Sequence, residues 1–237
     1  FMKTRLLALK SAVPPFPIDQ SAAADRAGQL FQKVRDIERF MPVFANTGIE
    51  KRYSCVPIDW YNETHGWVDR TELFVSNAVN LLEEVARKLL AETNLRVEDI
   101  DTVVVASTTG IATPSLDALV IERLKMRRDV QRLPIFGLGC AGGVVGISRA
   151  AAMAEARPGS KVMFLVVELC ALTFRKNDIS KSNIVATALF GDGAAGAILS
   201  TEGAGPRFEA MGEHTWPNSL DIMGWDVEED GLKARFA

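Results

Sequence analysis

The sequence predicts an α/β fold, a mixed and mostly parallel sheet covered by helices. Two nearly all-apolar runs, Thr102–Ala106 and Lys161–Val167, have the continuous hydrophobicity of strands buried on both faces. From Thr71 onward, helical and strand-like stretches alternate at the spacing of right-handed crossovers. The 237 residues are 48% hydrophobic and 24% charged, the composition of a globular chain long enough to bury a full core.

The elements follow in order. Lys3–Lys10 reads as a strand that ends in the Pro-rich turn Val13–Pro17. Asp19 or Ser21 caps a helix predicted to run to about Asp36, with Ala24, Leu30, Phe31 and Val34 as its stripe. A short helix is expected over Ile37–Phe44, then a polar, irregular stretch over Asn46–Arg70. Thr71–Thr93 is strongly helical, because Leu81, Leu82, Val85, Ala86, Leu89 and Leu90 recur at three- and four-residue spacing. After the Thr102–Ala106 strand come a helix over Ser115–Met126, a strand over Pro134–Leu138 and a small-residue helix over Ala141–Ala156. Beyond the Lys161–Val167 strand, Ser182–Leu189 reads equally as helix or strand. Ala194–Ser200 and Arg207–Met211 read as further strands, and the end, Gly231–Ala237, reads as a strand cut short.

Composition narrows the function classes. A net charge of −3 and a pI near 5.6 leave no basic footprint for nucleic acid. No stretch approaches the ~20 apolar residues that span a bilayer, and the N-terminus lacks the organisation of a signal peptide. Phe1 ahead of Met2 reads as a processing remnant. Three cysteines, Cys55, Cys140 and Cys170, are too few and too odd for a disulfide framework and suit reduced thiols in the cytoplasm. His65 and His214 have no metal-ligand neighbours at useful spacing, so no metal site is expected and surface or structural roles are favoured.

Chemistry concentrates in three stretches. In Ile135–Gly143, a short strand ends in Gly137-Leu138-Gly139 and Cys140 stands where the next helix begins. Such an elbow exposes the apical side chain, its glycines admit close approach, and the helix N-terminus favours thiolate over thiol. Cys140 therefore reads either as an activated nucleophile able to form a thioester or as a small buried hydrophobe. Gly142 and Gly143 weaken the helix by about 1 kcal/mol each, which implies a close neighbour there. Leu189-Phe190-Gly191-Asp192-Gly193 reads as a tight turn feeding a buried strand, with Phe190 in the core or in a pocket. Ser107–Pro114 lies at the carboxyl end of a buried strand, where ligands of α/β sheets gather. Its Ser/Thr groups bind a substrate or cap a helix, and capping is the better reading for Ser115 and Asp117.

Taken together, the sequence resembles the chalcone and stilbene synthase family, the type III polyketide synthases. The resemblance runs from Thr47 to about Asp226. It rests on Thr47–Tyr53, Thr108-Thr109-Gly110 with Pro114, the Gly139-Cys140 elbow, Glu168–Phe174, Leu189–Ala195 and Ser219–Trp225. It implies a thiolase-like fold of two similar halves, with residues 1–237 as the N-terminal domain and the C-terminal half absent from the chain. It implies decarboxylative condensation of malonyl-CoA onto an acyl-CoA starter by a homodimer, with CoA thioesters as substrates and no permanent cofactor. By match to the family, Cys140 is the acylated nucleophile and Phe190 the aromatic gate between the CoA tunnel and the cavity. Thr108, Thr113, Cys170 and Thr173 match positions lining the starter and elongation pocket. Cys170, in place of a Thr, is similar to bacterial enzymes that make alkylpyrones or alkylresorcinols, which implies a long-chain acyl starter. Arg39 matches a CoA-phosphate contact, while Pro42 and Asn46 stand where basic residues are common. The family's catalytic His and Asn belong to the second half, and neither His65 nor His214 matches that His. Two alternatives remain: a ketoacyl-carrier-protein synthase of the III type, and a non-catalytic half-domain that binds a partner.

Overall fold

A computed structural model of the chain describes residues 3–32 and 37–236. The expectations for Phe1, Val34, the end of the first helix at Asp36 and Ala237 lie outside the described residues. The chain divides into two compact units.

The first unit takes in the chain up to Ala12, Val75–Glu168 and Gly193–Thr215. Its centre is a five-stranded sheet in the order β1-β7-β6-β4-β5. The strands are β1 (Arg5–Ala12), β4 (Thr102–Ser107), β5 (Gln131–Phe136), β6 (Val162–Leu169) and β7 (Asp192–Ser200). β4 runs parallel to both β5 and β6, whereas β1 pairs antiparallel with β7. All six residues of β4 are buried, as a strand covered on both faces requires. Helices α4 (Leu116–Leu124), α5 (Gly142–Ala156) and residues 75–93 of α3 (Trp67–Thr93) belong to this unit. One core cluster joins Val104, Ala106, Val162, Phe164, Ala197 and Leu199 to the alanines Ala150, Ala151 and Ala154 of α5.

Small residues let α5 lie close to the sheet. A Cβ added at Gly146 would meet the Phe164 ring at 2.5 Å, while one at Gly143 would meet nothing within 4 Å. The close approach expected at Gly142-Gly143 therefore falls one turn later. A Cβ added at Gly196 of β7 would be as crowded, 2.7 Å from Leu165 Cδ2 and from the Phe164 carbonyl oxygen. The strand expected at Arg207–Met211 reduces to a single bridge between Arg5 and Arg207, because this stretch pairs β1 only through Leu6 N to Pro206 O and Phe208 N to Thr4 O.

The second unit takes in Val13–Phe74, Leu169–Asp192 and the chain from Trp216. The Pro-rich turn is partly a strand: β2 (Phe16–Asp19) pairs antiparallel with β3 (Lys51–Ser54), inside the stretch read as irregular. A two-stranded ribbon tolerates Pro17 because one of its edges is free of ladder bonds. Helix α1 (Gln20–Leu30) is shorter than expected and buries Gln20, Ala23 and Ala27. The short helix at 37–44 splits into a 3-10 turn, Ile37–Arg39, and α2 (Pro42–Asn46), since Pro42 suits the first turn of a new helix. The ambiguous 182–189 stretch is α6 (Lys181–Leu189), capped by the Ser180 side chain accepting from Asn183 N at 3.3 Å. β8 (Met223–Glu228) and β9 (Gly231–Phe236) form a hairpin. Phe31, Phe44, Phe174, Ile184 and Ala188 make the apolar core with α1. Buried amides supplement it: Gln20 Nε2 donates to the Phe44, Thr47 and Ala188 oxygens, and Asn183 Nδ2 to Arg175 O and Asp178 O.

Candidate active site

In the first unit the strand-to-helix elbow is built as its glycines imply. β5 ends at Phe136, and Gly137 and Gly139 take positive φ, +91° and +55°, which a Cβ would disfavour. Gly139–Ala141 form one 3-10 turn leading into α5, so Cys140 stands just before the helix rather than in it. Its thiol is free and exposed. The turn is tied to the end of β4 by Gly139 N donating to Thr108 Oγ1 at 3.0 Å. Thr108 N in turn donates to Glu168 Oε2 at 3.0 Å. Burial pushes the Glu168 carboxyl up, against the pull of hydrogen bonds from Thr108 and Thr109. The turn, the threonine and the carboxyl thus meet beyond the carboxyl ends of parallel strands.

The roles assigned to Glu168, Ser115 and Asp117 change. Glu168 entered the sequence reading only within a motif, although a lone acid ending the apolar run Leu165-Val166-Val167 is its signal. Ser115 is the N-cap of α4, but its side chain makes no cap bond; Ser115 Oγ and Asp117 Oδ2 both receive Arg132 instead, at 3.0 and 2.6 Å. Capping fails because the guanidinium is the stronger donor for both. Thr113 is exposed ahead of Pro114.

The second unit holds a narrow, mostly apolar cavity of about 70 Å³. Cys170, Thr173 and Phe190 all line it, together with Ala23, Ala27 and Leu30 of α1. Thr173 Oγ1 donates to Cys170 O at 2.8 Å. Phe190 ends α6 and packs against Trp225 and Phe236 of the hairpin, with ring centroids 6.0 and 5.8 Å away. Its carbonyl and that of Thr187 each accept from Arg52 Nη1 at 2.6 Å. Arg39 is exposed on its 3-10 turn and does not line the cavity.

Asp192 is a tie rather than only a turn residue. Its Oδ2 accepts from Cys55 N at 2.7 Å and its Oδ1 from Ala171 N at 2.8 Å. Burial pushes its carboxyl up to about 6, while the two amides and Arg52 pull the other way. Burial and Asp192 together push the Cys55 thiol far up, so Cys55 is inert where Cys140 is exposed.

His65 has the structural role its sequence context favours. Its ring stacks on Trp60 at 3.7 Å, with Asp69 and the Trp60 carbonyl at its two nitrogens. No group of three or more His, Cys, Asp and Glu among the described residues could hold a metal ion. No helix among them is long and apolar enough to cross a membrane.

Residues 2–206 match the family model for chalcone and stilbene synthases, N-terminal domain. A putative chalcone synthase of Bacillus subtilis is 33% identical over 247 residues, covering 98% of this chain and 68% of that protein. A 1,3,6,8-tetrahydroxynaphthalene synthase of Streptomyces peucetius is 33% identical over 237 residues, covering 97% of this chain and 63% of its own length. The crystal structure of 1,3,6,8-tetrahydroxynaphthalene synthase from Streptomyces coelicolor, a bacterial type III polyketide synthase, superposes with a TM-score of 0.94 at 27% identity. That match covers 98% of this chain and 67% of the other. The fold is thiolase-like, and the chain spans about two thirds of the length of these relatives.

Proposed function

The chain belongs to the chalcone and stilbene synthase family, whose members are acyl-transferring condensing enzymes, and we propose that it is the N-terminal portion of a type III polyketide synthase. The observation that carries this reading is the exposed Cys140 thiol on its glycine-flanked turn, braced by Gly139 N on Thr108.

The chemistry assigned to Cys140 runs in two steps. Its thiolate attacks the carbonyl carbon of an acyl-CoA, the new C–S bond forms as the C–S bond to CoA breaks, and CoA leaves as a thiolate that takes a proton from water. Malonyl-CoA then loses carbon dioxide to give an enolate, whose carbon attacks the acyl thioester and releases Cys140 as thiolate. Thr108 holds the turn in place, and Thr113 is assigned to the substrate by its match to the family. CoA thioesters are the substrates, with Arg39 as a phosphate contact, and no resident cofactor is invoked.

A long-chain acyl starter, and so an alkylpyrone or alkylresorcinol product, rests on the resemblance at Cys170, and the apolar lining that Cys170, Thr173 and Phe190 give the cavity suits an alkyl group. Each methylene buried there would contribute about 0.8 kcal/mol. A homodimer is supported by β5, the edge strand of its sheet, with Phe136 58% exposed, and by Val144 of α5, 76% exposed. Three cysteines, none of them in a disulfide, suit the cytoplasm. The test supplies the full-length protein with a fatty acyl-CoA and malonyl-CoA and follows products by mass spectrometry. Cys140→Ala should abolish them, and undiminished product from that variant would refute the reading.

A further inference from the structure

We infer that Asp192 is a positioning residue: its ionised carboxylate holds three walls of the apolar cavity together, and taking up a proton frees one of them. The inference deepens the proposed function and rests on it for the nature of the cavity's occupant, an alkyl chain.

The geometry stands on two hydrogen bonds. Cys55 N and Ala171 N, from segments 137 and 21 residues away, end on the two oxygens of one side chain. Each bond anchors a stretch of cavity wall. Cys55 follows Arg52, Tyr53 and Ser54 of β3, and Ala171 stands beside Cys170. Asp192 itself follows Phe190 and Gly191, the third wall. The carboxylate lies behind all three, only 7% exposed. Arg52 from β3, the Cys55 thiol after it and Tyr61 from the 3-10 turn Ile58–Asn62 face it, and Cys170 lies beyond Cys55.

An ionised carboxylate accepts from both amides at once. A neutral acid carries a proton on one oxygen, and that O–H is itself a donor facing an N–H. One amide then loses its partner, and a buried amide without a partner is costly enough to move its segment until it finds another. Burial already holds this carboxyl near 6, so the exchange falls within the range that cells traverse. Arg52 bonds the Phe190 carbonyl and not the carboxylate, so the wall expected to shift is that of Cys55 or that of Ala171.

The test uses nitrogen-15-labelled full-length protein and 1-dodecanol, an apolar probe without charge at any pH used. The Cys55 and Ala171 amide resonances are followed across the range around pH 6, and dodecanol affinity is measured on the same samples. The expected result is one shared midpoint near 6 for both amides, with affinity changing several-fold across it, and no such midpoint in Asp192→Asn. Flat amide resonances overturn the inference. So do amides that titrate without a change in dodecanol binding, or a midpoint that survives in Asp192→Asn. The wild-type titration stands by itself if the variant does not fold. A protein without turnover on acyl-CoA and malonyl-CoA would sink the polyketide reading while leaving these measurements intact.

Discussion

The two units of the chain reach stability by different means. The first is held by apolar contact: β4 is buried throughout, and α5 rests on the sheet through alanines and Gly146. The second carries buried polar ties, with Asp192, Gln20 and Arg175 each bonding segments far apart and Asn183 pinning the turn ahead of α6. Close packing tolerates little change in volume. Polar ties tolerate changes in volume but not the loss of a partner. The unit that carries the nucleophile is thus the closely packed one, and the unit that carries the apolar cavity is the one whose shape depends on pairing.

Substitutions can break or sharpen that contrast. The largest stability effect is expected at Gly196→Val, where a Cβ alone already meets Leu165, the Phe164 carbonyl and Val85 at 2.7–2.8 Å. A loss of about 3 kcal/mol or more should appear in denaturant unfolding, and a neutral result would show that the first unit is not closely packed there.

Next comes the pH dependence of Asp192. Its folded value is raised from 3.8 to about 6, so folding takes up a proton between those values. Wild-type stability should therefore rise relative to Asp192→Asn as pH falls through that window, by roughly 3 kcal/mol at most. The difference should be flat above it. A difference that grows with rising pH instead would reverse the assignment.

Arg175→Met should cost about 2 kcal/mol. It removes a buried guanidinium from Glu228 and Asp230, which are themselves partly exposed and so recover water. Arg175→Lys should recover part of the loss, and equal losses in the two variants would argue against a charge-based tie. The smallest effect belongs to the exposed Lys10–Glu92 pair of the first unit, where Lys10→Ala should leave the melting temperature within experimental error.

The same contrast explains what the sequence made legible. β4, β6, α3 and α5 were readable because a buried run or a helical period repeats over many residues, and this is how the first unit is built. β2, β3 and β8 were not, because each is a short ribbon strand of mixed polarity, and β2 and β3 find each other across more than thirty residues of chain. Ser182–Leu189 stayed ambiguous because its alanines and threonine serve either period, and the Ser180 cap decides it. The elbow at Cys140 was legible from Gly137 and Gly139, whose positive φ has a residue-type signature. Asp192 as a tie was not, because its partners are the backbone amides of Cys55 and Ala171, and a backbone amide leaves no trace in residue type. Cys170, Thr173 and Phe190 were placed by resemblance, and the structure brings these three around one cavity.

The central claim is that Cys140 is the acylated nucleophile. Its most direct test is peptide mass spectrometry of the full-length protein after exposure to a long-chain acyl-CoA without malonyl-CoA. The account predicts an acyl adduct on the Cys140 peptide that is lost in Cys140→Ala. An adduct confined to Cys170 or Cys55, or none on a protein that still makes product, would contradict it.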